Sequence, residues 1–253
     1  MKKSHVFVLA ICLVAASLAL QGITAPLQDE AAKKAEGKKH LEKMIEAQGG
    51  RDVLSKIMDM TSTGTMEMIT MGMSGSITMS TKEPDKMRMD MEIMGMIMTQ
   101  AYDGVTAWMI NPQTGVAEVM PEQLSEDMKR QAMGNTALLD PDKMGITYTY
   151  EGTEAIEGIE YVLLKQTFSD GESATYYIHP ETYLIYKTKG KSMNQMGVEV
   201  ESETFLTDYK EFEKTMVPYA ITIYQDGEEF LALTLTEFKY NTGLEDSFFQ
   251  MEK

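Results

Sequence analysis

Cysteine is almost absent from this 253-residue chain, and the one present, Cys12, sits inside an apolar run near the start. Beyond that run there is no thiol to form a disulfide, act as a nucleophile or hold a metal. Histidine is nearly as scarce, with only His40 and His179 past the run. No Gly-x-Ser-x-Gly, His-Glu-x-x-His or phosphate-loop pattern occurs, so the common nucleophile–base pairs and zinc sites have no parts to be built from. Acid pairs are plentiful among 39 Asp and Glu, but so acidic a surface supplies them by chance, and no glycosidase dyad follows. His179, in a turn before Pro180, reads as a solvated turn residue. The expectation is a protein that is not an enzyme, with no cofactor and no metal.

Positive charge is also short. Twenty-three Lys and Arg leave a net charge of −16, which argues against nucleic acid as a partner and against adhesion to an anionic membrane. Long apolar runs are missing too. Val6 to Leu20 spans 15 residues behind Lys2 and Lys3, short of the about 20 that a helical membrane span needs. With small residues at Ala19, Gly22 and Ala25, residues 1–25 read as a cleaved export signal, cut after one of those three, and Pro26 disfavours the last. Ile11 precedes Cys12 where a lipid-anchoring signal needs a small residue, so no lipid anchor is expected. Residues 26–253 are then expected to form a single periplasmic domain, a monomer, made more acidic by the loss of two lysines.

What the chain has in excess is methionine: 24 residues, 13 of them between Met58 and Met98. Met87, Met89 and Met91 alternate with Arg88, Asp90 and Glu92, and Met58, Met60, Ser62, Gly64, Met66 and Met68 alternate with polar partners. A period of two residues marks strands with one apolar and one wet face. Gly95 and Asp103-Gly104 turn the chain through a meander that returns around Trp108, the only tryptophan. Its inner face is expected to be methionine and aromatic.

Helical signals are few. Residues 29–48 and 52–57 read as helices, the first ended by Gly49-Gly50. A helix over 121–133, loosely extended to Asp140, starts at Pro121 and sets Leu124, Met128 and Ala132 on one face. Strands are expected at 76–82, 116–120, 146–155, 159–168, 173–179, 183–191, 198–209, 216–225 and 228–239, with one helical turn at 244–249. Short hairpin turns between them predict an antiparallel sheet.

The stretch Tyr102-Asp103-Gly104-Val105-Thr106-Ala107-Trp108 through Asn111-Pro112 resembles a hairpin of the LolA-like outer-membrane lipoprotein carrier and sorting family. Lys86-Met87-Arg88-Met89 after a Pro-containing turn, the helix after Met120, and Tyr177-Ile178-His179-Pro180-Glu181-Thr182-Tyr183-Leu184 agree with it. The resemblance implies an α+β fold, mainly antiparallel β: an incomplete, half-open β-barrel with helices packed as a lid over a hydrophobic cavity. It also implies acyl chains of lipoproteins or lipids as cargo in the periplasm, with an inner- or outer-membrane transport partner. The chain departs from the family in having methionine where the cavity is lined by aliphatics, in a strand region after Asp140 that is long for a minimal carrier, and in its arginines. No arginine lies between Asp52 and Met87, where the best-known carriers hold their lid.

On this reading the cavity is lined by Met58, Met60, Met66, Met68, Met87, Met89, Met91, Met96, Met98, Tyr102, Trp108, Leu124 and Met128. Methionine is unbranched and adapts its shape, which suits varied acyl chains. The rival for the same residues is a plain core in which methionine replaces leucine and valine. A lipid- or lipoprotein-sensing module is the second functional reading. Copper held by thioethers is the third, disfavoured because alternation spreads the sulfurs along a face.

Overall fold

The computed structural model describes residues 29–111, 113–194 and 197–251. The expected export segment lies outside them, as do Pro112 of the hairpin motif and two residues of the turn at 194–197. Helix α1 covers 29–47 and α2 covers Arg51–Leu54. The first meander follows: β1 (Asp59–Met68), β2 (Met73–Lys82), β3 (Lys86–Ile93), β4 (Met96–Tyr102), β5 (Ala107–Ile110) and β6 (Ala117–Val119). Helices α3 (Glu122–Gln131) and α4 (Asn135–Leu139) lead to the second: β7 (Thr147–Ile156), β8 (Ile159–Thr167), β9 (Ser173–Ile178), β10 (Ile185–Met193), β11 (Glu199–Phe212), β12 (Thr215–Gln225) and β13 (Glu228–Tyr240). A 3₁₀ turn at Asp246–Phe249 comes last.

All thirteen strands form one antiparallel sheet in the order β6-β5-β4-β3-β2-β1-β13-β12-β11-β10-β9-β8-β7. Two meanders thus run outward from a central seam, β1 against β13, with Met60 opposite Tyr240 and Met68 opposite Leu231. The sheet does not close: β6 and β7 are its two edges. The link between them must therefore carry the chain from one edge to the other. It does so with α3 and α4, and α3 packs on β4 and β5 of one arm and on β10 of the other. This is a half-open barrel with helices on its inner side.

Two expectations are corrected in detail. The turn before β2 is Ile69–Met71 with Gly72 at φ 61°, so β2 begins at Met73 rather than at residue 76. The stretch to Asp140 is not an extension of α3. It is a separate helix whose first N–H groups, on Asn135 and Thr136, donate to the Glu83 carboxylate at 2.6 and 3.0 Å. A carboxylate from a distant turn satisfies donors that a helix start leaves open, and sequence spacing along the helix does not reveal it.

Helix α1 buries Leu41, Met44 and Ile45 against the second meander, in a core with Leu54, Ala137, Ile146, Tyr148, Leu164 and Ile178. Its approach is close because Gly37 has no side chain: a Cβ there would lie 2.6 Å from the carbonyl oxygen of Tyr148. His40, on the same helix, stacks on Tyr150 at 5.0 Å, and its buried Nδ1 has no hydrogen-bond partner among the described residues. Burial lowers its pKa; Glu36 raises it, while Lys43 and Lys39 lower it further. The unfolded chain therefore takes up this proton first. Stability should be fully present above the ordinary histidine value of 6.5 and be lost progressively as pH falls below it through the lowered folded value. Denaturant midpoints followed from pH 7.5 to about 5.5 test this, and His40→Gln should flatten that dependence.

Candidate functional site

Cross-strand register decides which side chains share the inner face. Met91 pairs with Ile77 on one side and with Met98 on the other, Met89 with Met79, and Met87 with Tyr102. At the seam Met66 stands opposite Leu233, and beyond it Leu233 stands opposite Ile221. The strand methionines thus form one apolar face with aliphatic residues of β12 and β13. Met66, Met68, Ile77, Ile93 and Leu233 are its buried members, with Met79, Met89, Met91, Met98, Ile221 and Leu231 half-buried around them. No helical residue belongs to this central cluster among the described residues. The helices cover the arms instead: α1, α2 and α4 lie over the second meander, and α3 lies over Met87, Tyr102 and Ala107.

The expected site residues distribute unevenly. Met66, Met68, Met89, Met91 and Met98 come together in the central cluster. Met87 and Tyr102 join Leu124 and Met128 beneath α3. Met60 packs between the core under α1 and the Val217–Leu235–Phe238 group. Met58 and Met96 are exposed.

Trp108 is not on this face. It pairs with Ala101, which pairs with Arg88, which pairs with Ser80, all opposite to the methionine rows. On that outer side its indole N–H donates to the Phe249 carbonyl at 2.8 Å, under the 3₁₀ turn at Asp246–Phe249. The hairpin between Tyr102 and Ala107 sets this register, so the aromatic and the methionines point apart although they share a meander.

A strap from residue 241 to 249 holds the outer side. The Asp59 carboxylate accepts from the Thr242 hydroxyl and from the backbone N–H groups of Thr242, Gly243 and Leu244. Burial alone would raise its pKa, but these donors outweigh it and hold the carboxyl below its usual range. Arg88 donates to the Phe248 carbonyl at 3.0 Å and in a fork to Asp90, which also accepts from Thr99.

The inner-side helices are tied by the arginines. Arg51 forks onto Glu42 and donates to the Leu139 carbonyl at 2.7 Å, joining α1, α2 and α4. On α3, Arg130 donates to Asp170 at 2.7 Å in the β8–β9 turn, and the nearby Asp127 carboxylate accepts from the Met193 N–H at 3.3 Å. So α3 meets the first meander through an apolar contact and the second through a polar one. Along that polar seam lies a cleft of about 290 Å³ lined by residues including Glu122, Glu126, Arg130, Lys191 and Ser192. A second cleft of about 380 Å³ lies between α1 and α2. Neither is lined by the methionines of the central cluster, which pack in one group; the first is lined by Met193 of β10. No cluster of three or more His, Cys, Asp or Glu that could hold a metal ion occurs among the described residues.

No family model and no curated protein matches the chain by sequence. Solved structures do match. A domain from Vibrio parahaemolyticus named for outer membrane lipoprotein sorting superposes with a TM-score of 0.58 at 12% identity, over 85% of this chain and 97% of its own. A LolA superfamily protein from Nitrosomonas europaea gives 0.55 at 12% identity with the same coverage. The chain has a LolA-like fold. A DUF1329 family protein from Desulfovibrio piger shares it at a TM-score of 0.57 and 14% identity, again over 85% and 97% of the two chains. Identities this low establish the fold alone. Within the LolA-like fold, Ile221, Leu231, Leu233 and Met79 were missing from the sequence-derived site. Alternation in Leu231-Ala232-Leu233-Thr234-Leu235 marks the apolar face of β13, but nothing local shows that β13 pairs with β1.

Proposed function

We propose that this protein is an exported, monomeric carrier that binds acyl chains of lipoproteins or lipids on its inner methionine face and delivers them toward the outer membrane, with no chemical step. The observation that supports this best is the central cluster itself, an apolar face of a half-open barrel built from strand residues alone among the described residues and bordered at Met89 by the group under α3. An acyl chain laid on it gains about 0.8 kcal/mol per buried methylene. Methionine makes the entry feasible without a standing void, because unbranched thioether side chains can move aside and repack along a chain of any shape. In this reading α3 is the lid. It stays with the first meander through Met128 and Leu124 and parts from the second along the Arg130–Asp170 seam.

Native mass spectrometry of the protein from a periplasmic extract, followed by organic extraction, tests the proposal. The expected result is a mass increment that extracts as acyl lipid. A lipid-free mass, both from the extract and after incubation with lysophospholipid, would overturn it. A stable protein partner with lipid still bound would favour the sensing module over a carrier.

A further inference from the structure

Large apolar side chains gather at one end of the sheet with nothing over them among the described residues. The β3–β4 turn carries Met94, Met96 and Ile97 at 83%, 58% and 62% exposure, and the β1–β2 turn carries Ile69 and Met71 at 42% and 47%. Both turns lie at the same end, since Met68 stands opposite Met73 and Gly75 opposite Ile93. In a chain that is 25% charged, no charged residue occurs between Glu67 and Lys82 or between Glu92 and Asp103. Scattered exposed apolar residues need no explanation, but a contiguous group does.

Met94 adds an independent observation. Ile93 pairs with Met96, so Met94 and Gly95 are the two residues of a tight hairpin turn, with φ of 55° and 80°. That turn favours asparagine or aspartate before glycine. A long apolar side chain is costly at a positive φ, and at 83% exposure Met94 recovers little by packing against the described residues. Folding does not account for this residue.

We infer that these two turns insert into the surface of a neutral, zwitterionic phospholipid layer. Three features point to lipid. Met96 continues the inner face, opposite Ile93, while Ile97 stands opposite Glu92 on the other face. A tip that is apolar on both sides fits a medium that surrounds it better than it fits one flat protein face. The tip offers no lysine or arginine, and the neighbouring β12–β13 hairpin at the same end presents Asp226, Glu228 and Glu229. Anionic headgroups are therefore repelled rather than recruited. The tip is also continuous, through Met96 and Met98, with the central apolar cluster. This goes beyond the carrier reading: it names where the protein meets lipid, not what fills the inner face.

The test is flotation of the exported, processed protein with vesicles of phosphatidylcholine, and with vesicles that also contain phosphatidylglycerol. The wild type should float with the first and less with the second. The double substitution Met94→Asn and Ile97→Thr should reduce flotation by about tenfold or more. It should not lower the melting temperature, because asparagine suits the turn and threonine suits the strand. Uptake of lysophospholipid in solution should be unchanged in this variant, so failure at the tip and failure of the inner face read out separately. No flotation of the wild type, equal flotation of the double variant, or flotation that requires a second protein would each overturn the inference.

Discussion

Trp108→Ala is expected to destabilise the protein by about 3–5 kcal/mol and to leave the proposed acyl-chain binding intact. Trp108 is only 2% exposed and lies on the outer side of the sheet, under Phe249, which is fully buried. Its removal opens a large cavity, strands the Phe249 carbonyl that the indole N–H satisfies, and takes an aromatic face from beside the Arg88 guanidinium, 5.9 Å from the ring. In a domain of this size each kcal/mol moves the melting temperature by about 2–4 °C, so a fall of about 10 °C is expected. Trp108→Phe should recover part of it by refilling the space without the hydrogen bond. Lipid loading of the folded alanine variant, measured by native mass spectrometry below its melting point, decides the second half. Loss of loading there would mean that the outer side is coupled to the inner face.

Met91→Asp and Met98→Asp are expected to do the opposite: abolish acyl binding and spare the fold. The two residues stand opposite each other across β3 and β4, and both are half-buried in the central cluster. A carboxylate there keeps contact with water in the free protein but must be desolvated when a hydrocarbon chain covers it, at a cost of several kcal/mol. Affinity for lysophospholipid should fall by more than about a hundredfold, with circular dichroism unchanged. Met91→Leu, similar in volume, should bind nearly as well as the wild type. Wild-type affinity in both folded aspartate variants would remove these residues from the site.

Most of the sheet was legible because alternation is a local property: Met87 to Met91 announce a strand whatever surrounds them. What alternation could not supply was face. Between Tyr102 and Ala107 the turn fixes which neighbours pair, and that places Trp108 opposite Ala101 and away from Met109's side of the strand. The seam was hidden for a related reason. β1 and β13 are distant in sequence, and neither carries a signal naming the other, so the contribution of Leu233 and Ile221 to the inner face could not be read. The start of α4 depends on Glu83, a residue far along the chain. The exposed methionine tip was readable in composition, as two uncharged stretches, but its exposure depends on both turns falling at one end of the sheet.

The seam also sets an order of assembly. Each meander can zip up from neighbouring strands as it is made, but β1 finds its partner only when β13 is present. Until then β1 is an open edge flanked by an apolar face, and open apolar edges invite pairing with other chains. Long-range pairing of this kind is slow relative to hairpin closure. On the proposed export route, a chain translocated from its first residue onward would stay vulnerable until nearly its whole length had crossed, and its yield should depend on holding factors that shield β1 during that interval.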